Sequence, residues 1–156
     1  MVSVGDDAPE FTNKVANGDV EEFSLSERVG DGPLVLAFFP GAFTPPCTSE
    51  MTSFEEHIDE FEAAGAPVYG LSADSPFTLN AFREEYDLSF SLVSNMSRET
   101  IQSYGLEIDV EELGLHGVAN RAVYVVDDDG EVDYAWEADS PENEPDYDEL
   151  LDAVEA

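Results

Sequence analysis

Positive charge is almost missing from this sequence. One lysine, Lys14, and four arginines stand against 37 aspartates and glutamates in 156 residues, a formal net charge of −32 at pH 7. Nucleic acid and anionic membrane surfaces are repelled by such a chain, and no basic cluster offsets this, so neither is expected as a partner. Cysteine is nearly missing as well. With Cys47 alone, an internal disulfide within one copy is excluded, as are Cys-x-x-Cys pairs and cysteine-rich zinc sites, and no metal or cofactor is expected. Long apolar runs are absent, since no stretch approaches the ~20 residues of a membrane-spanning helix. The start, Met1-Val2-Ser3-Val4-Gly5-Asp6-Asp7, has neither a basic nor an apolar leader region, so no signal peptide is expected and a cytoplasmic location is the expectation.

What is present fits one folded unit. Hydrophobic residues make up 42% of the chain, with ten Phe and six Tyr to fill an ordinary core, and no repeat or linker divides residues 1–156. The acids are interleaved with periodic apolar residues along the whole length rather than gathered in a tail. In dilute salt that charge destabilises a compact chain through self-repulsion. At roughly 1 M salt the Debye length falls to about 3 Å and the repulsion is screened. The acid surplus and scarcity of lysine resemble proteins of salt-accumulating halophiles, and a halophilic setting is the expectation.

Elements alternate along the chain. Leu34-Val35-Leu36-Ala37-Phe38-Phe39 has no polar alternation, which suits a strand covered on both faces. Met51, Phe54, Ile58 and Phe61 then mark one helical stripe ending near Gly65. Residues 67–73 read as a strand, followed by Ser75 as N-cap, Pro76 at the first helical position, and Leu79, Phe82 and Tyr86 on one face. A short strand over 90–93 and a helix over 97–104, stopped by Gly105, continue the pattern. The segments 121–126 and 131–136 form a hairpin, and Tyr147, Leu150, Leu151 and Val154 belong to a final helix. The order predicts an α/β protein, a three-layer sandwich around a central sheet. Residues 107–120 show no clear periodicity and read as an irregular segment, of a kind that often carries function.

Cys47 follows the first of these strands and opens the helix after it. Helix-terminal N–H groups stabilise a thiolate, so this is where an activated sulfur nucleophile is expected. Considered alone, a free cysteine is more often inert core. The register around it changes that reading: Pro40-x-x-x-Thr44-x-x-Cys47-x-x-Glu50 fixes four residue types at set offsets.

That spacing resembles the active-site signature of the peroxiredoxins, thiol peroxidases built on a thioredoxin-like fold with a mixed β-sheet. The apolar strand before it, the segment Gly117 to Val126 and the Asp129-Gly130 turn are similar to peroxiredoxin counterparts, so the resemblance covers most of the chain. It implies that Cys47 attacks the O–O bond of hydrogen peroxide or an organic hydroperoxide and becomes a sulfenic acid, the first step of cysteine oxidation. By the same resemblance Thr44 orients the peroxide, Pro40 shields the sulfur from water and shapes the turn, Arg121 stabilises the thiolate and binds the peroxide oxygens, and Glu50 holds the arginine. Phe43, Phe39 and Trp136 are expected in the core or the pocket wall, Phe43 among the supporting residues of the site. His57, within an acidic helix, is expected to be solvated, and His116 is a weaker candidate for the site. Asn95 stands where many relatives have Asp, a change expected to affect helix capping rather than chemistry.

The sequence departs from the commonest peroxiredoxin arrangement in having no resolving cysteine. A Cys47 sulfenic acid must then be reduced from outside, by a small thiol or a redox protein. The resemblance also implies a homodimer or larger assembly. A thiol-disulfide oxidoreductase on the same fold would need a second nearby thiol. Two alternatives of another class remain: a noncatalytic redox sensor or binding module, which changes state once where an enzyme turns over, and a purely structural domain of the same fold, in which Cys47 is buried and unreactive.

Overall fold

Strand β3 (Leu34–Phe38) is an interior strand of the sheet, and its two faces explain the layers. Leu34, Leu36 and Phe38 project into one hydrophobic cluster, Val35 and Ala37 into another, all of them at most 1% exposed. A continuous apolar run is therefore required, because alternate side chains point to opposite faces and both faces are covered. The computed structural model describes residues 2–140 and 142–155.

In chain order the elements are β1 (Thr12–Ala16), β2 (Val20–Ser24), β3, α1 (Pro45–Glu56), α2 (Ile58–Ala63), β4 (Val68–Ser72), α3 (Pro76–Glu85), β5 (Ser91–Ser94) and α4 (Glu99–Ser103). They continue with β6 (Glu107–Val110), β7 (Leu115–Ala119), β8 (Ala122–Val126), β9 (Val132–Glu137) and α5 (Tyr147–Glu155). Seven strands form one mixed sheet in the order β2-β1-β5-β4-β3-β8-β9, parallel across β3–β4 and β4–β5 and antiparallel elsewhere. Helices α1, α2, α3 and α5 cover one face; α4 and the N-terminal segment around Phe11 cover the other. The expected three-layer α/β sandwich with a central mixed sheet is the one observed.

Three local expectations are corrected. The stripe Met51, Phe54, Ile58, Phe61 is buried as one row but not carried by one helix: His57, at φ −103° and ψ 5°, breaks it into α1 and α2. The helix expected over 97–104 is the shorter α4, entered through Arg98 in the left-handed region at φ 65°. Residues 107–120 are not irregular, for β6 and β7 pair antiparallel around a 3₁₀ turn at Glu111–Leu113. Gly114 and Gly117, at φ 67° and 66°, carry the bends that erase a strand-like alternation from the sequence.

Apolar burial outweighs acid repulsion element by element. In α5, Leu150, Leu151 and Val154 are buried while Asp148, Glu149, Asp152 and Glu155 remain exposed. Each buried side chain contributes about 1.5–3 kcal/mol. The like-charge pair Asp148 and Asp152, one turn apart, costs only about 0.2–0.5 kcal/mol. Under α1, Gly70 of β4 leaves room that no other residue would: a Cβ there would lie 2.6 Å from Leu92 Cδ2, 3.2 Å from Phe39 Cε1 and 3.3 Å from Met51 Sδ. The missing side chain sets how closely the cysteine-bearing helix approaches the sheet.

Candidate active site

The end of β3 delivers the chain to a tight loop and then to α1. Asp74 pins that loop, its Oδ2 accepting from Ala42 N–H at 2.8 Å and from Ser72 Oγ at 2.7 Å. Phe43 adopts φ 68°, which turns the chain so that Thr44 serves as N-cap of α1 with extended backbone at φ −74° and ψ 144°. Pro45 and Pro46 occupy the first two helical positions, where a missing N–H costs nothing. Cys47 is therefore third in the helix, in its first turn, as expected. The Thr44 hydroxyl donates to Gly41 O at 2.8 Å, leaving its lone pairs free to accept from a ligand.

Cys47 and Glu50 are three residues apart on α1, so they share a face. Both point inward, at 1% and 0% exposure, toward Arg121 at the entrance to β8, which is the largest fully buried side chain described. Arg121 Nη2 donates to Cys47 Sγ at 3.3 Å and Nη1 donates to Glu50 Oε1 at 2.6 Å. The guanidinium fork thus bridges the thiol and the carboxylate, a geometry lysine cannot reproduce. Burial pushes the Glu50 carboxyl up to about 7, against the opposing pull of Arg121. Burial works against the charge of Arg121 too, but Glu50 and Cys47 outweigh it and hold the guanidinium more firmly protonated than usual.

A second layer fixes these three groups. Asn120 Oδ1 accepts from Arg121 N–H at 3.0 Å, while its Nδ2 donates to Ala138 O at 3.0 Å and to Glu137 Oε2 at 2.8 Å. Ala138 N–H in turn donates to Arg121 O at 2.8 Å. The segment after β9 also ties down α1, because Glu144 accepts from Ser49 Oγ at 3.0 Å and from the Tyr147 hydroxyl at 2.8 Å. That hydroxyl also lies 3.4 Å from Glu50 O.

Above the sulfur opens a cavity of about 310 Å³, with buried Cys47, Arg121 and Pro40 at its base beside Thr44 and Pro46. Its walls come from β6, β7 and the turn between them through Val110, Leu113 and Leu115; exposed Glu112 and Glu142, with Ser140, complete the lining. A cavity this size admits a small molecule to a sulfur otherwise sealed from solvent, beside a cation and a hydroxyl that can bind oxygens.

Cys47, Thr44, Arg121, Pro40 and Glu50 are brought together as expected, with Glu50 behind the arginine rather than on the cavity. Phe43 is a correction. It does not line the cavity; its ring packs edge-on to Phe82 at 5.1 Å and near Tyr86 at 6.3 Å, and it stays 46% exposed. Its positive φ carries the side chain to the α3 side of the loop. Phe39 is core, Trp136 is partly buried against the core, and neither lines the cavity. His57 stacks on Tyr147 at 5.5 Å and pairs with Glu60 Oε1 at 3.1 Å, exposed His116 lies 3.8 Å from Asp109, and neither lines the cavity. Asn95 behaves as a capping residue, accepting from Ile101 N–H in α4 at 3.0 Å.

Sequence reasoning missed Val110, Glu112, Leu113, Leu115, Ser140, Glu142 and Asn120. Val110, Glu112, Leu113, Leu115 and Asn120 lie within the segment 107–120, whose lack of periodicity marked it as a whole but picked out none of them; Ser140 and Glu142 had no signal.

Residues 4–135 match the AhpC/TSA family. A Mycobacterium tuberculosis protein named as a peroxiredoxin is 36% identical over 130 residues, covering 82% of this chain and 80% of that protein. Peroxiredoxin Bcp of Escherichia coli is 29% identical over 137 residues, 87% of this chain and 86% of its own length. Among solved structures, that of peroxidoxin BcpB from Mycobacterium tuberculosis superposes with a TM-score of 0.85 at 26% identity, covering 99% of this chain and 97% of the other.

Proposed function

This chain belongs to the AhpC/TSA family of peroxiredoxins, and on that premise we propose a thiol peroxidase cycle carried by Cys47 alone. The protein is a thiol-dependent peroxidase. The observation that carries the proposed cycle is the donation from Arg121 Nη2 to Cys47 Sγ at the base of the cavity, 3.3 Å apart. A cationic donor there favours the sulfur as an anion and offers a second charge for the oxygens of a bound peroxide.

In this reading the thiolate attacks the terminal oxygen of R–O–O–H, forming an S–O bond as the O–O bond breaks. Negative charge moves from sulfur to the departing alkoxide, which takes up a proton and leaves as R–O–H. Arg121 stabilises that migrating charge, the function of a preorganised donor in a water-poor site. The Thr44 hydroxyl accepts the O–H of the peroxide, and Pro40 keeps water from the sulfur. Glu50 acts through Arg121, holding the fork toward Sγ. With no second cysteine in the chain, Cys47 sulfenic acid is returned to the thiol by a reductant from outside.

The same reading includes a cytoplasmic setting, where small thiols are kept reduced, and a working environment of molar salt, supported by the charge of −32. It also includes self-association as a homodimer or larger assembly, supported by the exposure of Phe43 and Phe77 at 46% and 73%. Sedimentation in molar potassium chloride tests that part.

The reaction itself is tested by following peroxide consumption over many turnovers, in molar potassium chloride with excess thiol, beside Cys47→Ser. Sustained consumption that vanishes in Cys47→Ser is expected. Consumption no faster than by free thiol alone would overturn the cycle.

A further inference from the structure

The mouth of the active-site cavity carries charge of one sign. Glu112, in the turn between β6 and β7, and Glu142, in the segment after β9, both line it and are both exposed. Among the described residues the one basic side chain in the lining is Arg121, buried at the base and donating to Glu50 and Cys47. A molecule entering from solvent therefore meets two carboxylates before it meets the guanidinium. Since Sγ is 1% exposed and the chain has no other cysteine, a reductant must bring its own sulfur into this cavity.

We propose that the external reductant of this site is a small thiol without net negative charge, selected by Glu112 and Glu142. The proposal rests on the peroxidase cycle above and specifies its second half. The incoming thiol attacks as a thiolate: an S–S bond forms to Cys47, the S–O bond breaks, and hydroxide takes up one proton and leaves as water. A second thiolate then attacks the outer sulfur of the mixed disulfide, releasing the thiol's own disulfide and returning Cys47 as thiolate. Two thiols lose two electrons together, and the sulfenic acid gains them. The attacking sulfur already brings one negative charge past Glu112 and Glu142. A carboxylate on the same molecule adds a second to be repelled, whereas an ammonium group offsets the first.

The test separates the two halves of the cycle. Sulfenic acid is formed with one equivalent of hydrogen peroxide and confirmed by mass as the gain of one oxygen. Its single-turnover reduction is then timed with cysteamine, 2-mercaptoethanol and 3-mercaptopropionate, small thiols that are cationic, neutral and anionic. Rates are normalised to thiolate concentration, in the lowest potassium chloride that keeps the far-ultraviolet circular dichroism of the folded protein. We expect cysteamine to be fastest and 3-mercaptopropionate slowest, about tenfold apart, with about threefold from each carboxylate.

In Glu112→Gln/Glu142→Gln the rates relative to 2-mercaptoethanol should draw together, and molar salt should narrow them in the unsubstituted protein. Equal rates for the three thiols would overturn the charge selection and leave the peroxidase standing. A tenfold order unchanged in the double variant would assign it to the protein's overall field, overturning the role of these two residues. A protein thiol faster than all three at equal thiolate concentration would overturn the size restriction, and failure to form sulfenic acid would overturn both this proposal and the cycle beneath it.

Discussion

Replacing Arg121 by lysine keeps a positive charge on a long stem but exchanges a two-pronged donor for a point charge. In the folded protein the prongs are divided, one to Glu50 Oε1 at 2.6 Å and one to Cys47 Sγ at 3.3 Å. A single ammonium is drawn to the carboxylate, because that contact is shorter and because Glu50 Oε2, fully buried, has no hydrogen-bond partner. Cys47 is left without its donor. A hydrogen bond to a charged group contributes about 1.5–3 kcal/mol, so Arg121→Lys should lower the second-order rate constant for oxidation by hydrogen peroxide by about ten- to a hundredfold. Stopped-flow measurement of thiol loss gives that constant. Thiolate absorbance on the same samples divides the loss between fewer thiolates and less reactive ones. Arg121→Met serves as comparison: it removes the cation that opposes the burial of Glu50, leaving a buried, protonated carboxyl short of a hydrogen-bond partner, and should cost about 1–3 kcal/mol of stability. An Arg121→Lys rate within twofold of the unsubstituted protein would refute the assignment of Nη2 to the sulfur.

The raised carboxyl of Glu50 has its own signature in stability. Its folded-state value of about 7 lies above the ordinary 4.5, so the folded protein holds a proton that the unfolded chain releases. Stability should therefore fall as pH rises between those values, by about 3 kcal/mol in all. Urea titrations across that window should show the fall in the unsubstituted protein relative to Glu50→Gln, and parallel profiles would contradict it. Gly70→Ala should destabilise by about 1–3 kcal/mol through overpacking against Leu92, Phe39 and Met51; an unchanged denaturation midpoint would show that α1 yields freely. Lowering salt while the fold persists should slow peroxide reduction, because unscreened carboxylates oppose the negative charge that develops in the reaction. A rate constant for peroxide reduction that does not respond to salt in a folded sample would sink that expectation.

The site was legible in the sequence where its residues are close in number or tied to a strong element. Cys47, Thr44, Pro40 and Glu50 sit within one loop and one helical turn, so local spacing determines their geometry. Arg121 was reached through the resemblance carried by the segment Gly117 to Val126, and the structure sets it at the entrance to β8, beside β3. The walls of the cavity were legible only as a segment, 107–120, and not residue by residue. Val110, Leu113 and Leu115 belong to a hairpin bent by left-handed glycines, and Glu142 to a segment without regular structure, so only tertiary folding places them over the sulfur. The N-terminal hairpin was missed for another reason. Exposed Lys14, Glu21 and Glu22 dilute the apolar pattern of β1 and β2, although Asn17-Gly18 between them is a hairpin signal that could have been used. Phe43 misled because neighbourhood in sequence to Cys47 does not determine direction; a left-handed φ turned it away.

The ties that hold the first turns of α1 to the segment leading into α5 have a consequence for how the molecule works in time. Ser49 to Glu144, Tyr147 to Glu144, and Arg121 to Glu50 can all persist through every step of a cycle that never joins Cys47 to another part of its own chain. No stage waits for helix to unwind and rewind. Throughput is then governed by the reactions with small molecules that enter the cavity, so it should scale with thiol concentration. It should also survive immobilisation: a crystal or cross-linked gel of this protein, soaked in peroxide and a suitable thiol, should keep turning over without cracking, as a stationary electrode does.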